Sequence, residues 1–454
     1  MSNRRKLRLG LAAYGTGWDL DAWRLPEASN TGLRDPSVIL DIARTAERGK
    51  LDYVFAGSAL GSEPDRLNRI YRWDNFVYAG YAAALTKNLG FLMSVNSSFE
   101  HPYGIARQLA TLDNFTAGRT ALNVVFGIDR DGDPIGNYGK NPMPTETTKY
   151  DRAREFTAVV NRLLYESWDD DLLLDDKAGG ALIRPGSWHQ IDHHGEHFDV
   201  RGPLNVPPPV QPHIPIVQVG LSEESLRFGA DYAQVRFSPY FGISRGKEEY
   251  RKLKERVAAN GRDPEKFKII PGITFYLAGT TREAVAKFNE INALQLTEEI
   301  PSAFSAALGV DLSRVRDTER VLDVVDVESL DDGALKPFIS DRARDVKNDR
   351  ELLRQVLTAQ VGEDATLREL YQYVQRSRHE QQPAVVGDAA KIADWLEENL
   401  EEHVLDGVQL FPPYHRGPAD LFVDLVVPEL QRRGIFRTEY EAPTLQGLLD
   451  TDDY

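Results

Sequence analysis

The chain has 454 residues, a formal net charge of −16 and no cysteine. That length suits one large α/β domain with insertions, or two or three smaller ones. The acidic balance excludes a broad basic face for nucleic acid or for an anionic membrane surface. The missing cysteines exclude disulfides, thiolate metal sites and cysteine nucleophiles, and no apolar run approaches the roughly 20 residues of a membrane span. A cytoplasmic protein is the expectation.

The first apolar piece, residues 7–14, is short and interrupted by Gly10, so it is read as a buried strand and not as a leader. A long loop rich in Trp, Asp, Pro and Asn follows over 15–34. Ile39, Ile42, Ala43 and Ala46 share one face of a helix expected over 36–48. Residues 51–56 form a second strand ending at Gly57-Ser58, and 75–86 a second helix. The stretch 89–126 reads as strand, helix, strand. An apolar run over 89–93 leads into Ser94, Asn96, Ser97 and Ser98. Pro102 then opens a helix with Ile105, Leu109, Leu112 and Phe115 at helical spacing, closed by Gly118, and 121–126 is apolar again. In a barrel of parallel strands the C-terminal strand ends carry the chemistry, which makes 94–98 the first candidate site. The plainer reading is a helix cap and a loop.

Residues 150–168 form an amphipathic helix with Phe156, Val159, Val160, Leu163 and Leu164 on one face. An acidic surface loop (Asp169–Asp171, Asp175, Asp176), a hairpin over 187–200 and a proline-rich linker over 207–215 lead to a strand at 216–219. Gly220, Ser222 and a helix to Tyr232 come next, then a strand at 234–237, a charged helix at 246–259 and a strand at 269–277. Residues 281–406 read as polar and helical with no clear strand, an insertion beside the site. A last strand at 408–411 and a last helix at 421–433 complete the chain. About eight strand–helix units favour a TIM (β/α)8 barrel over an open doubly wound sheet, and no G-x-G-x-x-G follows the first strand. The helix beginning at Ser222 offers free N–H groups to an anion, so Ser222 and the backbone at Glu223 are phosphate candidates, with Gly220 permitting close approach.

Several segments, in order along nearly the whole chain, carry a family resemblance. They are Ala22-Trp23-Arg24, HPYGIARQLATLDNFTAGR at 101–119, NVV at 123–125, NYG at 137–139, YDRAREF at 150–156, DHHGEHFDVRGPL at 192–204, PIVQVGLSEES at 215–225 and FVDLVVPELQRRGIFRTEYE at 422–441. The chain resembles the bacterial-luciferase-like flavin-dependent monooxygenases, in the branch of nitrilotriacetate monooxygenase component A, dibenzothiophene-sulfone monooxygenase and long-chain alkane monooxygenase. The resemblance implies a luciferase-like α/β TIM barrel with insertions, the largest before the last strand, in a single domain over 1–454. It implies reduced FMN (FMNH2) as a dissociable co-substrate, O2, a small organic substrate, a separate NAD(P)H-dependent flavin reductase, and a homodimer or homotetramer.

Such a flavin carries the oxygen chemistry itself, so the protein must bind it, orient it and keep water away. Ser58, Ser97, Ser98 and Asn123, at expected strand ends, are candidates for the polar edge of the ring, and Tyr150 matches the family tyrosine beside the phosphate. Three positions depart from the family pattern. Ser58 stands where aspartate is common, Glu146 where histidine is common, and Phe126-Gly127 where Thr-Ser usually follows NVV. They motivate a second reading, a catalytically silent flavin-binding or scaffold subunit. A deazaflavin-dependent oxidoreductase is a third, which the 422–441 match disfavours. His189, His193, His194 and His197 tempt a metal reading, but the matching family hairpin binds none, so no metal is expected. His101 suits an acid or a helix cap, and Trp23 and Arg24 suit the substrate mouth.

Overall fold

The computed structural model describes residues 4–19, 21–57, 60–61, 73–126, 137–138, 148–220, 222–294, 300–308, 310–329, 353–354, 357, 362–371 and 383–450. Ser58, Gly127 and Glu146 lie outside the described residues.

Eight parallel strands close into a barrel: β1 (Arg8–Ala12), β2 (Tyr53–Ala56), β3 (Gly90–Asn96), β4 (Thr120–Val125), β5 (Ile216–Val219), β6 (Val235–Ser238), β7 (Lys268–Leu277) and β8 (Gly407–Phe411). Each pairs with the next, and β8 returns to β1 in the register Leu9↔Val408 and Leu11↔Leu410. The helices that cover them include α1 (Ser37–Arg48), α2 (Asn75–Ala83), α3 (Pro102–Thr116), α4 (Thr148–Tyr165), α5 (Glu223–Tyr232), α6 (Ile243–Ala259), α7 (Thr281–Ala293) and α8 (Ala389–Glu401). The helical run α9 comprises Pro418–Leu421, a π-helical stretch Phe422–Val426 and Val427–Arg432; α10 is Leu445–Asp450. The TIM-barrel expectation therefore holds.

Strand alternation sorts the side chains. Leu9, Leu11, Val54, Phe91, Met93, Leu122 and Val124 pack outward in the core shared with the helices. Tyr53, Leu92, Ala121, Val217, Val235 and Ile270 pack inside the barrel, joined by Leu445 and Leu449. Helix α10, which the sequence reading missed, thus stoppers the N-terminal end. Its Leu445 N–H donates to Gly118 O (2.8 Å), and a Cβ on Gly90 would meet Leu445. The buried Arg437–Asp52 pair (2.8 Å) lies at the same end. With that end filled, the C-terminal strand tips are the end of the barrel left for a site.

Three expectations need correction. Strand β3 runs on to Asn96 because its polar residues find partners inside the barrel. Asn75 Nδ2 donates to Ser94 O (2.7 Å) and Asn123 Nδ2 to Ser94 Oγ (2.9 Å). The stretch 281–406 is not strandless. Residues Ala384–Gly387 pair in parallel with the second half of β7, Thr274↔Ala384 to Leu277↔Gly387, and α8 then connects to β8 in the ordinary barrel manner. Among the described residues, Ile300, Phe304, Leu308, Leu312, Val321, Leu367 and their neighbours form a separate small core there. Finally Phe115 is 84% exposed; on α3 the buried row after Ile105, Leu109 and Leu112 continues to Thr116, one step further round the helix.

Candidate active site

The tips of β3 and β4 are tied by the residues between them. Ser97 N–H donates to Val125 O (2.9 Å), and Ser97 Oγ donates to the same carbonyl (3.3 Å). Arg152, on α4, donates from Nε to Ser97 O (3.0 Å) while its guanidinium lies over the Phe198 ring (4.2 Å). Ser97 is therefore fully buried and its hydroxyl is engaged with backbone. The hydroxyl of Ser98 and the Oδ1 atoms of Asn123 and Asn75 are different. All three are buried and make no hydrogen bond among the described residues. An orphaned buried polar atom costs about 1–3 kcal/mol, so three around the tips of neighbouring strands are a cradle short of its ligand. Carboxamide oxygens accept and a hydroxyl donates or accepts, which suits a ligand edge alternating N–H and C=O.

A second group of polar atoms lies where β5 meets α5. Gly220 has φ +126°, and a Cβ there would collide with Ser225 Oγ, so only glycine lets the chain turn this tightly into the helix. Ser222 is the N-cap and accepts from Ser225 N (3.3 Å). Tyr150 OH and Ser222 Oγ sit 2.5 Å apart and share one hydrogen, leaving two hydroxyls beside the positive end of α5. The Glu223 side chain turns away to Arg256 (2.6 Å), so only its backbone N–H remains for an anion. Arg236, invisible to the sequence reading, lies fully buried behind this turn and donates to Gly220 O and Gln218 Oε1. Phe126 does not occupy the cradle. Its ring packs edge-on against Tyr150 (4.7 Å) and Phe228 (5.6 Å), in the layer between β4 and helices α4 and α5, where it buttresses the tyrosine.

The opposite side of the mouth is aromatic. Trp18 packs on Phe411 (4.4 Å), Tyr14 on Trp18 (5.4 Å) and Phe237 on Phe411 (6.1 Å). Backbone bonds from Trp18 and Asp19 to Pro412 and Pro413 stitch the first loop to the end of β8, and Tyr276 OH donates to Asp19 (2.6 Å). Ala22 is buried against Tyr276, Ile291 and Tyr414, while Arg24 donates to Leu294 O at the end of α7; Trp23 Nε1 is buried with no hydrogen bond among the described residues. The 22–24 segment thus packs against the end of β7 and residues that follow β7 and β8. His101 caps α3, its Nδ1 accepting from Tyr103 N (3.3 Å), which selects the cap role. His189, His193 and His194 each pair with a different carboxylate, on Asp169, Glu155 and Asp199.

Glu100, also missed in the sequence, closes the β3 turn by accepting from Asn96 N (2.5 Å). Burial, with Asp74 nearby, raises its carboxyl to about 7 although the Asn96 bond pulls the other way. A raised carboxyl stabilises the fold below its unfolded value of about 4.3 and loses that contribution as pH rises through about 7. Glu100→Gln keeps an acceptor for Asn96 without the charge. It is expected to raise stability by roughly 1–3 kcal/mol at pH 8 and by little at pH 4 in denaturant melts.

A closed parallel barrel with orphaned polar atoms at neighbouring strand tips, an anion-ready helix start beside them and an aromatic wall opposite has the makings of a small-molecule site for a ligand that carries an anionic group and a polar edge. The Luciferase-like monooxygenase family profile matches residues 19–407. The chain is 32% identical to N-acetyl-S-(2-succino)cysteine monooxygenase of Bacillus subtilis (98% of this chain, 96% of that one). It is 34% identical to nitrilotriacetate monooxygenase component A of Aminobacter aminovorans (99% and 97%). Among solved structures, a riboflavin lyase with modified FMN and riboflavin superposes with a TM-score of 0.76 at 26% identity (98% and 96%). The chain belongs to the luciferase-like monooxygenase family.

Proposed function

We propose that this monooxygenase uses reduced FMN and O2 to oxygenate a small organic substrate, with the reduced flavin delivered by a separate NAD(P)H-dependent reductase. The observation that carries this reading is the Tyr150–Ser222 hydroxyl pair at the start of α5, beside strand tips with unanswered polar atoms. The two hydroxyls and the Glu223 N–H would hold the phosphate, and the buried Arg236 adds positive charge behind them. Asn123 Oδ1 and the Ser98 hydroxyl would hold the polar edge of the ring; Ser58, two residues after β2 in sequence, is proposed as a further contact. Ser97 acts through its backbone bonds, which fix the β3 and β4 tips.

When bound, the flavin supplies the reaction with oxygen. The chain supplies dryness and position. Tyr14, Trp18, Phe237 and Phe411 exclude water from the mouth and favour a substrate with an apolar body. The position of Phe126, away from the cradle, removes one motive for the silent reading. A homodimer or homotetramer in the cytoplasm completes the proposal. Trp73, Val77, Tyr81 and Leu85, exposed at intervals of four on and beside α2, support self-association. The test is an anaerobic titration with reduced FMN followed by isotopically labelled O2 in the presence of candidate substrates. Saturable micromolar binding and one labelled atom in the product are expected. Binding without labelled product across thioethers, amines and sulfones would favour the silent subunit, and no binding would remove the flavin altogether.

A further inference from the structure

A cleft of about 320 Å³ opens between α1 and the start of α9, beside the C-terminal tips of β1 and β8; Tyr14 of the aromatic wall lines it, but none of the β3, β4 and α5 atoms described above does. Its volume is at the lower end for small-molecule sites. Leu11, Ala12, Ile42 and Ala419 give it apolar walls. Three arginines stand on it, and two are already answered: Arg48 pairs with Asp420 (2.8 Å) and Asp424, and Arg416 pairs with Asp41. The third, Arg44, is exposed on α1 and has no hydrogen bond or ion pair among the described residues. His415 also lines the cleft. It is only 8% exposed, and its Nε2 has no hydrogen-bond partner among the described residues. Burial, then the charge of Arg416, lowers this imidazole to about 4, so at neutral pH it is uncharged and offers one nitrogen for a hydrogen bond.

We propose that the cleft between α1 and α9 binds a small organic monoanion, an alkyl or aryl carboxylate, with its charge on Arg44, its hydrocarbon body on the apolar walls and a polar atom on His415. The unanswered guanidinium selects an anion. Asp41 and Asp420, close by on the same rim, disfavour a second negative charge. The four apolar walls exclude a fully polar ion as the best occupant. The proposal does not rest on the flavin reading: the cleft shares Tyr14 with the aromatic wall but none of the residues assigned to the flavin.

The probe is benzoate, with benzyl alcohol as its neutral counterpart, titrated calorimetrically into the full chain at pH 7.5. Benzoate is expected to bind one to one, more tightly than benzyl alcohol, and to keep its affinity when the protein is saturated with FMN. Arg44→Ala is expected to weaken benzoate about tenfold or more, Arg44→Lys to recover part of the loss, and His415→Phe to weaken it several-fold. Because Arg44 is exposed and unpaired among the described residues, its variants should melt like the parent protein. No benzoate binding at concentrations of about 10 mM, displacement by FMN, or unchanged affinity in Arg44→Ala would each overturn the proposal.

Discussion

Ser222→Ala combined with Tyr150→Phe is expected to weaken FMN binding by about 100-fold while leaving riboflavin binding within about threefold of the parent protein. The reason is local. Riboflavin has the same ring system without the phosphate, so it does not use the hydroxyl pair at the start of α5. Each hydroxyl given to a charged phosphate is worth about 1.5–3 kcal/mol, and because the two are 2.5 Å apart their losses overlap instead of adding. Ser222 is also the helix cap, accepting from Ser225 N, so about 1 kcal/mol of the cost falls on the fold. The riboflavin control separates the two effects: a cap defect would weaken both ligands, whereas a lost phosphate contact weakens one. Fluorescence quenching of both flavins measures this directly.

Asp406→Ala is expected to cost about 3–5 kcal/mol of stability in denaturant unfolding. Asp406 is buried just before β8, accepts from Ile269 N (2.7 Å) and Tyr250 OH (2.7 Å), pairs with Arg5 and lies 3.5 Å from Lys254. One side chain therefore ties the β7 and β8 strand starts to α6 and the N-terminal segment, and removing it leaves two cations and a backbone N–H without their anion. Burial pushes its carboxyl upward, but Lys254, Arg5 and Lys268 outweigh this and hold it below the usual range. A depressed carboxyl stabilises the fold above the unfolded value of about 3.9 and loses that contribution as pH falls through the lower folded value. Asp406→Asn should accordingly lose stability at neutral pH and show a shallower acid limb below about pH 4 than the parent protein.

The barrel was legible because its strands are buried on both faces and read as short apolar runs between amphipathic helices, as at β4, β5 and β8. What escaped was structure whose reason lies elsewhere in the chain. Ala384–Gly387 is too short to stand out from a polar neighbourhood and is a strand because the long β7 offers it an edge. Helix α10 is six residues long, and Leu445 and Leu449 acquire meaning only as a stopper inside the barrel. The same holds at the site. Ser98, Tyr150 and Ser222 follow strands or start helices, and Asn123 lies two residues before the end of β4, where sequence logic looks for ligands. Arg236 is mid-strand and Glu100 is two residues past a serine pair. Their roles come from burial and from partners at Gly220 and Asn96. Phe126 shows the converse: an aromatic in a polar motif suggests a blocked pocket until its ring is seen packed on Tyr150.

The most direct test of the cradle is a crystal structure of the protein with FMN. The phosphate is expected within hydrogen-bonding distance of the Ser222 and Tyr150 hydroxyls, with the polar edge of the ring answering Asn123 Oδ1 and Ser98 Oγ. Density for the flavin anywhere else, such as the cleft between α1 and α9, or strand tips left without it at saturating FMN, would contradict the account.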